Sequence, residues 1–294
     1  MALAQTEIVV RMLRRASPGV EVQVVPIETL GDILPPDRRR EVDGKAAFTN
    51  AIEKQLVAGG VDAAVHSMKD LPNEIGEGLT IGATPVRGDA RDALVTLSRV
   101  GFHDLPKGAK VGTSSVRRRA QLLHLRDDLK VTELHGNVET RLKKMGELGL
   151  DGVILAVAGL GRLGLGKYAS YTFRTEEMIP AVSQGVIAVE TRADDKRALE
   201  IVASIDDRNT RHASECERAF SNRLGGDCYV PIGAYAEVDG QRLKVSGMVA
   251  SLDGRTMVKA SLSGDASAAR KAGEKLATTL IGSGGKRILE EIAA

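Results

Sequence analysis

Three short runs in the 294-residue chain bring together residue types that can do chemistry. The first is His66-Ser67-Met68-Lys69-Asp70-Leu71-Pro72, where a carboxylate follows a cation directly after an apolar segment and Pro72 prevents a simple helical continuation. One carboxylate among cations can stabilise a developing positive charge or accept a proton. Its ordinary alternative is a helix cap or an ion-pair partner. The second run is Gly112-Thr113-Ser114-Ser115-Val116-Arg117-Arg118-Arg119, with hydroxyls and backbone N–H groups at a helix start and two guanidiniums projecting from the first turn. A helix dipole prefers acids there, so the arginines point to an anionic ligand, carboxylate or phosphate. A solvated basic face is the alternative, and it suits Arg119. The third run, Leu224-Gly225-Gly226-Asp227-Cys228-Tyr229-Val230-Pro231, places a thiol in a glycine-rich loop before a strand. Such a thiol is accessible to react as a thiolate, although a free cysteine is often a small buried hydrophobe. Cys216, on a helix near Ala219 and Phe220, fits that second description.

The elements that must position these runs follow from periodicity. Val22 to Ile27 reads as a strand, and Phe48, Ile52 and Leu56 mark a helix stopped by Gly59-Gly60. Val61 to Val65 and Leu79 to Ala83 read as strands. Beyond Arg91 the alternation restarts: Lys110 to Gly112 leads into a helix near Ser115, and Val131 to Leu134 into one from Asn137. Gly152 to Ala156 leads into a helix over Ala158 to Leu163. Alternation of this kind implies α/β domains with ligands at strand C-terminal ends, where the first two runs fall. After Thr210 a long helix, three strand-like runs (Tyr229 to Val238, Leu243 to Ala250, Thr256 to Ser261) and a helical tail read as a small α+β domain.

Composition narrows the function classes. Apolar residues make up 43% and charged residues 27%, as in a soluble globular protein, and a net charge of +2 does not suggest a nucleic-acid binder. Anion binding must come from local clusters. Two cysteines make no disulfide framework or metal-ligand spacing, so no metal is expected and the thiols fit a reducing compartment. The first residues lack the basic segment and apolar run of a signal peptide, and the longest apolar stretch, Val153 to Leu160, is far short of a membrane span. A cytoplasmic protein without a membrane partner is expected. The glycine-spaced run Ala158-Gly159-Leu160-Gly161 lacks the full dinucleotide fingerprint, which excludes a Rossmann cofactor reading. A Cys-His-Asn hydrolase using Cys228 with His66 or His135 stays open, without support from a local signature. Arg141 and Arg162, taken singly, read as surface arginines.

Together these runs resemble porphobilinogen deaminase, also called hydroxymethylbilane synthase, over nearly the whole chain. Ile154-Leu155-Ala156-Val157-Ala158-Gly159-Leu160, Pro180-Ala181-Val182-Ser183-Gln184-Gly185 and Glu217-Arg218-Ala219 are similar to further family runs. The resemblance implies a cytoplasmic, monomeric α/β transferase with two periplasmic-binding-protein-like domains and a small C-terminal α+β domain. Domain 1 would span 1–86 plus 186–204, domain 2 91–180, and domain 3 208–294. It implies a dipyrromethane cofactor held through a thioether to Cys228, to which four porphobilinogen molecules add in turn, each losing ammonia, before water releases hydroxymethylbilane. By matched position Asp70 would stabilise the positive pyrrole nitrogens, with Lys69 beside it. Lys69, Ser115, Arg117, Arg118 and Arg141 would pair with pyrrole acetate and propionate groups. Arg162, Gln184 and His135 would serve the substrate site.

Three departures from the family pattern stand out. The family opens with a strand and a short stretch containing Arg and Ser, whereas Met1-Ala2-Leu3-Ala4-Gln5 already reads as the following helix; a misplaced start codon is the expected explanation. His135 stands where the family has Arg, and a histidine offers no bidentate fork unless a nearby acid keeps it charged. Asp227 replaces a glycine beside the anchor cysteine. Leu34-Pro35-Pro36-Asp37-Arg38-Arg39-Arg40 reads as a mobile loop over the cleft or as a solvated linker. Two rival readings are a non-catalytic two-lobed receptor for small carboxylates and an inactive truncated relative.

Overall fold

The computed structural model describes residues 1–29, 46–225 and 230–293. Cys228, Asp227 and the Leu34–Arg40 run lie outside the described residues. The chain divides into two compact units, Met1–Gly88 with Val186–Arg211, and Asp89–Gly185 with His212–Ala294.

The first stretch contributes helices α1 (Ala2–Ala16) and α2 (Ala46–Val57) and strands β1 (Ala63–Ser67) and β2 (Leu79–Ala83). The second runs β3 (Asp92–Val95), β4 (Lys110–Gly112), α3 (Val116–Leu125), β5 (Lys130–Thr132), α4 (Val138–Glu147), β6 (Gly152–Ala156), α5 (Val157–Arg162) and β7 (Tyr171–Thr172). The chain then returns through β8 (Ile187–Arg192), α6 (Lys196–Ala203) and α7 (Arg208–Arg223). It ends in β9 (Ile232–Asp239), β10 (Arg242–Ala250), β11 (Met257–Asp265), α8 (Ala269–Leu280) and α9 (Lys286–Ala293).

In the first unit β8 is the middle strand of an antiparallel sheet of order β1-β8-β2, with Ser67 opposite Ile187. Val9 and Leu13 of α1 pack with Ala83, Ile187 and Val189 of this sheet and with Val202 of α6. Val22 to Ile27, expected as a strand, is not one. Its apolar alternation supplies the propensity, but a strand exists through its ladder and this segment pairs with none of the described strands. Val24 and Val25 are consequently 43% and 49% exposed.

The second unit holds a five-stranded mixed sheet of order β5-β4-β6-β3-β7. Strand β4 runs parallel to β5 and β6, while β3 runs antiparallel to β6 and β7. Both faces are buried. Leu94 and Ile154 point into one apolar cluster, and Ala93, Val95, Val153 and Leu155 into another, as the two-residue period requires. Strands β4, β5 and β6 each feed a helix, so the starts of α3, α4 and α5 gather at their C-terminal ends.

A separate antiparallel sheet, β9-β10-β11, is backed by α7, α8 and α9 around Phe220, Val245, Val249, Leu276 and Leu280. The helices meet closely: a Cβ on Gly273 of α8 would fall inside the van der Waals radius of the Cys216 backbone carbonyl on α7. Gly273→Ala is therefore expected to lower stability by about 1–3 kcal/mol through overpacking, read as a lower urea midpoint at unchanged slope.

Candidate active site

The first unit presents Lys69 and Asp70. Strand β1 ends at Ser67 and passes into a single 3₁₀ turn, Met68–Asp70. Met68 and Leu71 are buried with Val186 and Ala188, and Leu71 N–H donates to the Met68 carbonyl at 3.1 Å. With Met68 and Leu71 pinned inward, the two residues between them turn outward: Lys69 is half-buried and Asp70 exposed. Asp70 caps no helix, and among the described residues its carboxylate has no hydrogen-bond or ion-pair partner. Leu71 is extended, at φ −74° and ψ 145°, as a residue before proline must be.

The strand beneath the turn is tied at each side. Gln5 of α1 hydrogen-bonds Ser67 Oγ through Nε2 at 2.8 Å and accepts from it through Oε1 at 3.1 Å. The buried His66 Nε2 lies 3.1 Å from Glu190 Oε2 on β8. These contacts hold the register of the turn that carries Asp70.

The second unit presents the loop after β4. Thr113 N–H donates to the Thr132 carbonyl at 2.9 Å, and Ser115 N–H to Thr113 Oγ1 at 3.2 Å. Ser115 caps α3, its Oγ accepting from Arg118 N at 3.4 Å. Asn137 caps α4 by accepting from Thr140 N at 2.9 Å, which sets Arg141 one turn in. Arg141 Nη2 then donates to Ser114 Oγ at 3.3 Å, so two runs far apart in sequence meet. His135, before them, pairs with Glu133 through Nε2 at 2.8 Å. Glu133 thereby competes with any ligand carboxylate for that ring.

Arg117 and Arg118 do not project into solvent. They are 4% and 6% exposed and converge on Asp92, the fully buried first residue of β3. Asp92 Oδ2 accepts from Arg117 Nη2 at 2.8 Å, and Oδ1 from Arg118 Nε and Nη2 at 3.0 and 2.6 Å. The remaining edges of the forks reach the Ile179 carbonyl (Arg117 Nη1, 2.7 Å) and the Ile154 carbonyl (Arg118 Nη1, 3.1 Å). Arg117 Nε is buried without a hydrogen-bond partner among the described residues. Burial alone would raise the Asp92 pKa, but the two guanidiniums outweigh it and hold the carboxyl well below the usual carboxylate range. Burial pushes Arg117 down from its ordinary value, against the pull of Asp92. Arg119, by contrast, is exposed.

Gln184 and Arg162 join the same framework. Gln184, expected at the substrate, is 1% exposed, and its Nε2 donates to the Ala90 carbonyl at 2.6 Å and to Asp92 Oδ1 at 3.0 Å. Ser183 turns the chain inward at φ +59°, its N–H held by Glu217 Oε2 at 2.6 Å, while Glu217 Oε1 accepts from Ala236 N. Arg162 Nη2 donates to the Gly185 carbonyl at 2.6 Å, and burial lowers its pKa. Asp92, Glu190 and Gln5 are the contributors that sequence reasoning missed, and Glu217 stands in a family run without a role read for it. Two adjacent arginines that must be buried do imply a counter-carboxylate, and that signal was available.

Cys216 is fully buried among the apolar residues of α7, and burial together with the neighbouring Glu217 pushes its thiol up to about 12. It is protonated and inert at neutral pH. Among the described residues no group of three His, Cys, Asp or Glu could hold a metal, and no helix is long and apolar enough to cross a membrane.

Comparison with known proteins agrees along the chain. Residues 1–200 match the family model of the porphobilinogen deaminase dipyromethane cofactor binding domain, and residues 211–282 that of the porphobilinogen deaminase C-terminal domain. The chain is similar to porphobilinogen deaminase of Alkaliphilus metalliredigens, at 44% identity over 99% of this chain and 92% of the relative. The enzyme of Syntrophotalea carbinolica is 44% identical over 98% and 92%, and that of Roseiflexus sp. 45% over 98% and 95%.

Asp92 supplies the prediction here. Asp92→Asn leaves two buried guanidiniums without their carboxylate and is expected to cost about 3–5 kcal/mol in urea unfolding at pH 7. Because the folded pKa is depressed, the parent's advantage is fully present above the unfolded carboxyl pKa of about 3.9. It shrinks only below that pH. An advantage already gone at pH 5 would contradict the pairing.

Proposed function

The chain belongs to the porphobilinogen deaminase family, and from that premise we propose how its residues divide the work. The reaction is a transferase reaction of tetrapyrrole synthesis: four porphobilinogen molecules condense in turn with loss of ammonia, and the product is hydroxymethylbilane. The dipyrromethane cofactor, when bound, supplies the pyrrole carbon that the first substrate joins.

Asp70 is assigned the central role. Positive charge develops on pyrrole nitrogen during deamination and bond formation, and an exposed carboxylate with no partner among the described residues can oppose it. This is the observation that carries the reading. Lys69, on the same turn, would bind a pyrrole carboxylate. In the other unit Ser115, Arg117, Arg118 and Arg141 would hold further acetate and propionate groups. The residues fit such an anion: two guanidiniums against Asp92 leave one net positive charge, and Arg117 Nε is a buried donor still to be satisfied. His135 would add a contact weakened by Glu133. Arg162 and Gln184 would support the site through Gly185, Ala90 and Asp92 rather than grip substrate themselves.

Cys228 is the proposed thioether anchor, since the shifted thiol of Cys216 is unsuited to nucleophilic attack. The division into three domains, 1–86 with 186–204, 91–180 and 208–294, remains the preferred finer description. A cytoplasmic monomer is proposed, its thiols suited to a reducing compartment.

Two measurements test this function. The intact mass of the purified protein should exceed the sequence mass by two linked pyrroles, and Cys228→Ala should show no excess; retention of the added mass in that variant sinks the anchor. Asp70→Ala should keep its melting temperature and lose about 10²–10³-fold in turnover. A non-catalytic carboxylate receptor would bind ligand as before in that variant, and no turnover would be seen in the parent.

A further inference from the structure

We propose that Asp92 is a positioning residue for carboxylate binding, fixing the planes and the net charge of Arg117 and Arg118 and linking them to the Ser183–Gly185 turn. The inference rests on the reading above, in which these arginines receive a pyrrole carboxylate.

Charge comes first. Two adjacent guanidiniums buried at one helix start repel each other, and an unconstrained pair would splay apart or take up two anions. A permanent carboxylate between them leaves one positive charge, so the pair answers one ligand carboxylate rather than two. Asp92 thereby sets the stoichiometry of the site.

Geometry comes next. Oδ1 takes Nε and Nη2 of Arg118, Oδ2 takes Nη2 of Arg117, and the carbonyls of Ile154 and Ile179 take one Nη1 donor from each fork. Each planar group is held at two edges and cannot rotate about its stem. Of the six guanidinium nitrogens of the pair, Arg117 Nε alone makes no hydrogen bond among the described residues, and it is buried. A group so costly to leave unsatisfied marks where a ligand oxygen would complete the cluster.

The third link is Gln184. Its Nε2 bonds Asp92 Oδ1 and the Ala90 carbonyl, bridging Ala90–Asp92 to the Ser183–Gly185 turn. The side chains that hold the arginines thus also hold Ala90–Asp92 against the Ser183–Gly185 turn within the one unit.

Asp92→Asn is a poor probe because it can fail to fold, so the decisive variant is Asp92→Glu, which keeps the charge and moves the carboxylate by one methylene. It is compared with Arg117→Met and Arg118→Met. The readouts are melting temperature, the fraction of protein carrying the covalent pyrrole mass, and kcat/KM. Asp92→Glu should melt within a few degrees of the parent, while its loaded fraction falls about tenfold and kcat/KM about 100-fold, the scale expected when a positioned group shifts by about 1 Å. The two arginine variants should also load poorly. Normal loading and turnover in Asp92→Glu, with poor loading in the arginine variants, would overturn the positioning role and leave the functional reading intact. Normal loading in folded arginine variants would overturn that reading and this inference with it. An Asp92→Glu protein that does not fold would assign Asp92 to stability alone.

Discussion

A buried carboxylate shared by two arginines constrains more of this protein than any other contact. Removing three charges from water costs several kcal/mol for each ion unless the donors and acceptors are almost completely matched. Asp92 accepts from Arg117, Arg118 and Gln184, and the guanidiniums spend further donors on the carbonyls of Ile154 and Ile179. That matching recruits the start of β3, the first turn of α3, the end region of β6 and the Ile179 segment at once. None of these can move alone without stranding a charge. The helix start that would bind an anion is therefore rigid before any ligand arrives.

Asp70 and Asp92 show how environment divides two identical side chains. Asp92 is enclosed and its charge is consumed by protein cations, so its work is structural and its protonation is remote from neutral pH. Asp70 sits on a turn whose neighbours, Met68 and Leu71, take all the burial, and its carboxylate is left to solvent. A chain with 41 Lys and Arg against 39 Asp and Glu has little long-range field to offer an anionic substrate. Recognition must come from clusters in which the local balance is uneven. The Arg117–Arg118–Asp92 cluster is proposed as one, and the meeting of Arg141 with Ser114 as another.

Much of this architecture is legible in the residues, for identifiable reasons. Lys110–Gly112 and Gly152–Ala156 are strands where the apolar pattern puts them, because each is a short apolar run that leads into a helix. The Ser115 and Asn137 caps are equally plain. Strands β3 and β8 were missed because polar residues sit inside them. Asp92 opens one, and Glu190 and Thr191, both fully buried, occupy the other. Those residues break the hydrophobic signal because they answer partners distant in sequence, Arg117 and Arg118 in one case and His66 in the other. Val22 to Ile27 fails in the opposite sense, since its pattern is right and its ladder is absent. For Gln184 the family resemblance of its run implies a ligand contact. Only the fold shows that its amide turns inward.

The same logic separates the two cysteines. A thiol becomes a nucleophile when water or a cation stabilises its thiolate, and a helix core provides neither. Cys216 lies among Phe220, Leu276 and the close approach of Gly273, next to Glu217, whose charge opposes ionisation further. Glu217 cannot be spared from that position, because it holds the Ser183 turn and the Ala236 N–H together. Packing and electrostatics at that helix therefore exclude Cys216 from covalent chemistry. The anchor proposed for a cofactor attached through sulfur is accordingly the other cysteine of the chain, Cys228.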